Sequence, residues 1–65
     1  MSQTYRVETD HECITFTFDA RRGLLLGDHG TEPIEVGART ILQALRDSFP
    51  GAAIGQEFGR GWVLR

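Results

Sequence analysis

The chain has no lysine, a single cysteine (Cys13), two prolines and one tryptophan, and no apolar run approaches the ~20 residues needed to cross a bilayer as a helix. One cysteine excludes an intrachain disulfide. That fits a reducing compartment, and the N-terminal MSQTYRVETD has neither the basic start nor the apolar stretch of a secretory leader, so the expected location is the cytoplasm. Without lysine, every cationic side chain is an arginine, seven in all. Arginine is the planar, bidentate cation favoured at interfaces, although a GC-rich coding sequence also enriches it. No repeat, low-complexity segment or linker divides the 65 residues, so residues 1–65 are read as one domain. A domain this short buries only roughly 60% of its unfolded surface and has little stability to spare.

The net charge of −2 hides an asymmetry. Residues 1–35 carry seven acids and three arginines; residues 36–65 carry two acids and four arginines. An overall acidic chain is a poor nonspecific nucleic-acid binder, because that binding comes from neutralising phosphates.

Hydrophobic periodicity predicts an α+β domain of order βββ(β)αββ, a small antiparallel sheet on one amphipathic helix. Thr4 to Thr9 alternates with Tyr5 and Val7 on one face, and Ile14, Phe16 and Phe18 alternate with Thr15 and Thr17. Residues 19–23 (DARRG) read as a hairpin loop. Leu24 to Leu26 is a third strand, followed by the turn Gly27-Asp28-His29-Gly30, whose glycines accept positive φ. Pro33 to Val36 reads as a short edge strand. Ala38, Ile41, Leu42, Leu45 and Phe49 have the spacing of one helical face, opposite Arg39, Gln43 and Arg46, and Pro50-Gly51 ends the helix. The tail from Ala52 reads as a second hairpin turning at Gly59-Arg60-Gly61. The expected core is Tyr5, Val7, Ile14, Phe16, Phe18, Leu24, Leu26, Ile41, Leu42, Leu45, Phe49 and Trp62. The strand at Thr4–Thr9 is expected at an exposed edge, blunted by Arg6 and Glu8, which would leave a route to a homodimer.

Candidate chemistry is sparse. His11, Cys13 and His29 are the soft metal ligands, and nothing in their spacing resembles a closed four-ligand site, so no metal or cofactor is expected. A Cys13 nucleophile lacks a water-excluded cleft in so small a sheet. Asp10 and Glu12 sit in a turn, where carboxylates are ordinarily solvated rather than engaged in acid–base catalysis. Gly-Asp-His-Gly lacks the lysine and hydroxyl residue of a phosphate loop. These absences point away from an enzyme. Trp62 beside Arg60 has the composition of a binding hot spot, and equally of a core residue beside a loop-tip charge.

Residues 14–54 resemble the opening of the winged-helix effector domain of OmpR-type response regulators. Phe18 to Leu24 looks like its first hairpin, residues 30–36 (GTEPIEV) like the entry to its first helix, Arg39 to Phe49 like that helix, and residues 59–64 (GRGWVL) like its wing. The family's second helix and its recognition helix have no counterpart here, so no element is available to enter a major groove. The resemblance implies a pared-down relative that would contact nucleic acid through Arg39, Gln43, Arg46 and Arg60.

The reading that fits the charge better is a protein-interaction module. Glu8, Asp10, Glu12, Asp28 and Glu32 would form an acidic surface that steers onto a basic protein partner, such as a nucleoprotein complex. In size and charge the chain is similar to the inhibitors carried by phages and mobile elements, anti-CRISPR proteins among them.

Overall fold

The computed structural model describes residues 3–58 and 61–64, with the backbone alone for residues 58 and 62–64. Six strands and one helix follow in the expected order: β1 (Thr4–Glu8), β2 (Cys13–Asp19), β3 (Leu24–Gly27), β4 (Ile34–Glu35), α1 (Ile41–Ser48), β5 (Ala53–Phe58) and β6 (Gly61–Leu64). The strands form one sheet in the order β4-β3-β2-β1-β5-β6, with every neighbouring pair antiparallel. The fold is therefore α+β.

Local chemistry sets the turns. Thr9 Oγ1 accepts from the backbone N–H groups of His11 (3.2 Å) and Glu12 (3.1 Å), while Thr9 N donates to the Glu12 carbonyl at 2.9 Å. This closes the β1–β2 hairpin with Asp10 and His11 at its tip. Asp19 Oδ1 takes the N–H groups of Arg21 and Arg22 in the same way at the β2–β3 turn. His29 and Gly30 both adopt positive φ, 52° and 74°, in the turn after β3.

The helix is shorter than its sequence pattern. It starts at Ile41, because Thr40 is extended and its hydroxyl caps the first turn by accepting from Gln43 N at 3.1 Å. Ala38, expected on the buried helical face, precedes the helix and is exposed. Thr40→Ala should therefore lower stability by about 1 kcal/mol. A denaturation midpoint equal to the wild type's would mean that the cap does not set the helix start.

One face of the sheet packs under α1. The core is Tyr5, Val7, Ile14, Phe16, Leu25, Val36, Ala44, Leu45 and Ile54, with Phe18, Ile34, Ile41, Leu42, Phe49 and Ala52 packed around it. Two expectations are corrected here. Leu25 is the buried leucine of β3, whereas Leu26 is 37% exposed and Leu24 is half-buried. Three consecutive leucines carry no parity of their own. The hairpin register supplies it, since Leu25 lies opposite Phe18 and so shares the core face, while Leu26 lies opposite Thr17. Second, β1 is no edge: it lies in the middle of the sheet, paired on both sides with β2 and β5. The helical connection brings β5 back across the sheet to the free side of β1. The edges are instead the two-residue β4 and the C-terminal β6. Trp62, expected in the core, has a side chain outside the described residues, and its Cα lies opposite Glu57.

A candidate acidic interface at one end of the sheet

The strand register places the turns at two ends. Because β1 runs into the β1–β2 hairpin at Glu8, opposite Cys13, residues 9–12 cap one end. Strand β3 runs antiparallel to β2, so Asp28, which follows Gly27 and its partner Phe16, emerges at that same end. Asp28 N donates to the Thr15 carbonyl at 3.1 Å, and Asp28 Oδ1 accepts from Thr15 N at 3.3 Å. Strand β5 begins there too, with Ala53 opposite Glu8, so the C-terminus of α1 and residues 49–52 reach the same end. Glu8, Asp10, Glu12, Asp28 and Glu32 are thus gathered by topology from two separate turns. Arg21 and Arg22 lie at the opposite end, in the β2–β3 turn, and Arg39 lies there too, ahead of the helix.

These acids do not have equal roles. The side chains of Asp10, Glu12 and Glu32 are exposed and make no hydrogen bond or ion pair among the described residues. Glu8 is exposed, with Arg6 at 4.0 Å, but Arg6 makes its shorter ion pair with Glu57, at 3.0 Å. Asp28 is half-buried and largely structural. Besides the Thr15 contacts, its carbonyl accepts from the Thr31 hydroxyl at 2.7 Å, and His29 Nε2 approaches its Oδ2 at 3.6 Å.

The arginine stripe is also differentiated. Arg39 is folded back onto the chain: Nε donates to the Val36 carbonyl at 3.1 Å, one terminal nitrogen donates to the Glu35 carbonyl, and the other pairs with Asp47 Oδ2 at 3.0 Å. Gln43 Nε2 donates to Asp47 Oδ1 at 2.8 Å. Those hydrogen bonds, from Gln43 first and then Arg39, hold the Asp47 carboxyl below its ordinary pKa. Arg39 and Gln43 thus link the helix entry to its last turn. Arg46 is exposed and without such a partner among the described residues, and Arg60 lies outside them. The contact that sequence reasoning misses is this tie between Arg39 and Asp47, eight residues apart. It depends on Arg39 lying before the helix rather than on it.

Among the described residues no group of three or more His, Cys, Asp and Glu side chains is placed to hold a metal ion, and Cys13 is exposed. No described helix is long and apolar enough to cross a membrane. The acidic end also carries a concavity of about 500 Å³ between the β1–β2 hairpin and the segment that follows α1. Residues 8–10 form one wall and residues 48–52 the other. Comparison with known protein families, characterised proteins and solved structures finds no match for the chain.

Proposed function

We propose that the chain is a non-enzymatic protein-interaction module that engages a basic, nucleic-acid-handling protein through the acidic end of its sheet. The supporting observation is the convergence of Asp10, Glu12 and Glu32, all exposed, from two turns that the strand register brings together. Clustered like charges raise the association rate with an oppositely charged surface and disfavour an acidic partner. A chain with this surface can occupy the site where a nucleoprotein complex binds its nucleic acid, as an inhibitor of the anti-CRISPR kind would. The alternative is a winged-helix-like nucleic-acid binder using Arg39, Gln43, Arg46 and Arg60. It is less well supported, because Arg39 and Gln43 are committed to Asp47 and the helix entry, and binding falls with the number of cations left to neutralise phosphates.

The test compares three proteins by fluorescence anisotropy at low salt. They are the wild type, the reversal Asp10→Arg/Glu12→Arg/Glu32→Arg, and the control Arg21→Glu/Arg46→Glu. Asp28 and Arg39 are left alone because both support the fold. The probes are a labelled peptide of mixed arginine and lysine and a labelled DNA duplex. The wild type and the control should bind the peptide, the reversal should lose at least tenfold in affinity, and the wild type should not bind the duplex. A wild type that binds the duplex and loses it in the control supports nucleic-acid binding instead. A wild type that binds neither probe overturns the acidic interface.

A further inference from the structure

We propose that the cleft between the β1–β2 hairpin and the end of α1 is the anchor point of this interface, and that it receives one arginine side chain of the protein partner. This deepens the interaction reading and rests on it. Three features of the cleft carry the inference. Its size, about 500 Å³, lies in the range of clefts that bury a small ligand, ~300–1,000 Å³, and accommodates a side chain with its flanking backbone. One wall is apolar: Phe49, Pro50 and Ala52 line it, and Phe49 is half-buried against Phe16 with ring centroids 5.7 Å apart.

The charged groups on its rim are of one sign, beside the uncharged Thr9 and Ser48. Glu8 and Asp10 supply carboxylates, and no arginine lines the cleft. The helix presents its C-terminal end there, since Ser48 and Phe49 are lining residues. Helix C-termini carry partial negative charge and carbonyls that lack intrahelical donors. Here the supply of donors is poor: Pro50 has no N–H to offer the Arg46 carbonyl four residues back, and Ala52 N is bonded to the Phe49 carbonyl at 3.2 Å. Such a wall selects a cation with several donors and a flat apolar face. A guanidinium offers five N–H groups in a plane that can lie along an apolar surface while its edge reaches carboxylates and carbonyls; an ammonium has three donors and is more strongly hydrated. The Thr9 hydrogen bonds to His11 and Glu12 fix the hairpin wall, so the cleft is formed before a partner arrives.

The experiment follows backbone amide resonances of the full chain during titration with three short peptides that differ only in a central arginine, lysine or citrulline, each flanked by two lysines. The arginine peptide should shift the amides of Thr9, Asp10, Phe49 and Gly51 and bind at least threefold more tightly than the lysine peptide, with citrulline weakest. Two variants that leave Glu12 and Glu32 in place, Asp10→Asn and the cleft-filling Ser48→Trp, should remove the arginine preference and the shifts on residues 49–52. If the peptides bind with equal affinity and shift only residues 10–12 and 28–32, the cleft is not the anchor, while the acidic interface stands. If no peptide binds the wild type, both readings fall together. Unchanged dispersion of the core amides in each variant separates loss of the site from loss of the fold.

Discussion

Phe16→Ala is expected to remove most of the domain's stability at 25 °C. Phe16 is completely buried in the central part of the sheet, its ring lies 5.7 Å from that of Phe49, and it faces the helix between Tyr5 on β1 and Gly27 on β3. Truncating a buried phenylalanine costs about 3–5 kcal/mol, transfer and cavity terms together. A domain of this size has on the order of 5 kcal/mol in total. Few neighbours can collapse into the gap, because the fully buried side chains around it come from different strands and the helix. The prediction is checked by circular dichroism and amide dispersion beside Phe16→Leu, which should fold with a lowered midpoint. A Phe16→Ala protein that melts with the wild type would show that this face of β2 is not the core.

Gly27→Ala has the second largest expected effect, and the reason is steric. Its φ is not positive, so the backbone would accept alanine. The space would not: a Cβ there would lie 2.7 Å from Thr31 Cβ and 2.9 Å from Phe16 Cε1. Thr31 is held by its hydroxyl and its N–H, both bonded to the Asp28 carbonyl, and Phe16 is boxed in by the core. Neither gives way cheaply, and overpacking of this kind costs about 1–3 kcal/mol. The clash with Phe16 also predicts coupling. In a double-mutant cycle with Phe16→Leu the two losses should fall short of additive by roughly 0.5 kcal/mol or more. Strict additivity, or a wild-type melting curve for Gly27→Ala, would remove the close approach as the reason for glycine. By contrast, Gly30 needs its conformation rather than its small size, with φ at 74° and open space where a Cβ would stand.

Gly27 also shows where sequence reasoning went wrong for a definite reason. A Gly-Asp-His-Gly turn invites the assumption that both glycines serve backbone conformation. Positive φ falls on His29 and Gly30 instead, and Gly27 is still a strand residue opposite Phe16. Thr31 is only four residues away, but Phe16 comes from another strand, and no residue near Gly27 specifies it. The same holds for the leucines: the expected core takes Leu24 and Leu26, and the register with β2 puts Leu25 there instead. The helix boundary was half legible. Thr40 is a good N-cap residue, but the apolar spacing continues back to Ala38, and periodicity alone extends the helix one turn too far.

The candidate interface divides in a similar way. An excess of acid in residues 1–35 is a property of composition. Its distribution in space is not, because Arg21, Arg22 and Asp19 belong to that half of the chain and lie at the far end of the sheet from Asp10 and Glu12. A count by halves hides that separation, which also puts Glu35 at the far end, opposite Leu24. It also treats Asp28 and Asp10 alike, although the first accepts a backbone hydrogen bond from Thr15 and the second has no partner among the described residues. Arg39 and Arg46 were equivalent as members of a stripe, and a salt link to Asp47 makes them different.

Local sequence accounts for the alternation of Tyr5 and Val7 and of Ile14, Phe16 and Phe18, the single amphipathic helix, the turn chemistry at Asp19 and the stop at Pro50. Each of these is set by residues within a few positions of one another, through side-chain period, capping or a missing N–H. Tertiary packing alone places β1 in the centre of the sheet, turns Leu25 rather than its neighbours toward the helix, sets two acidic turns at one end, and forms a cleft there between the β1–β2 hairpin and the end of α1. Those outcomes depend on strand order and register. These are fixed by pairing across the whole chain, such as Val7 with both Ile14 and Ile54, and no local pattern encodes them.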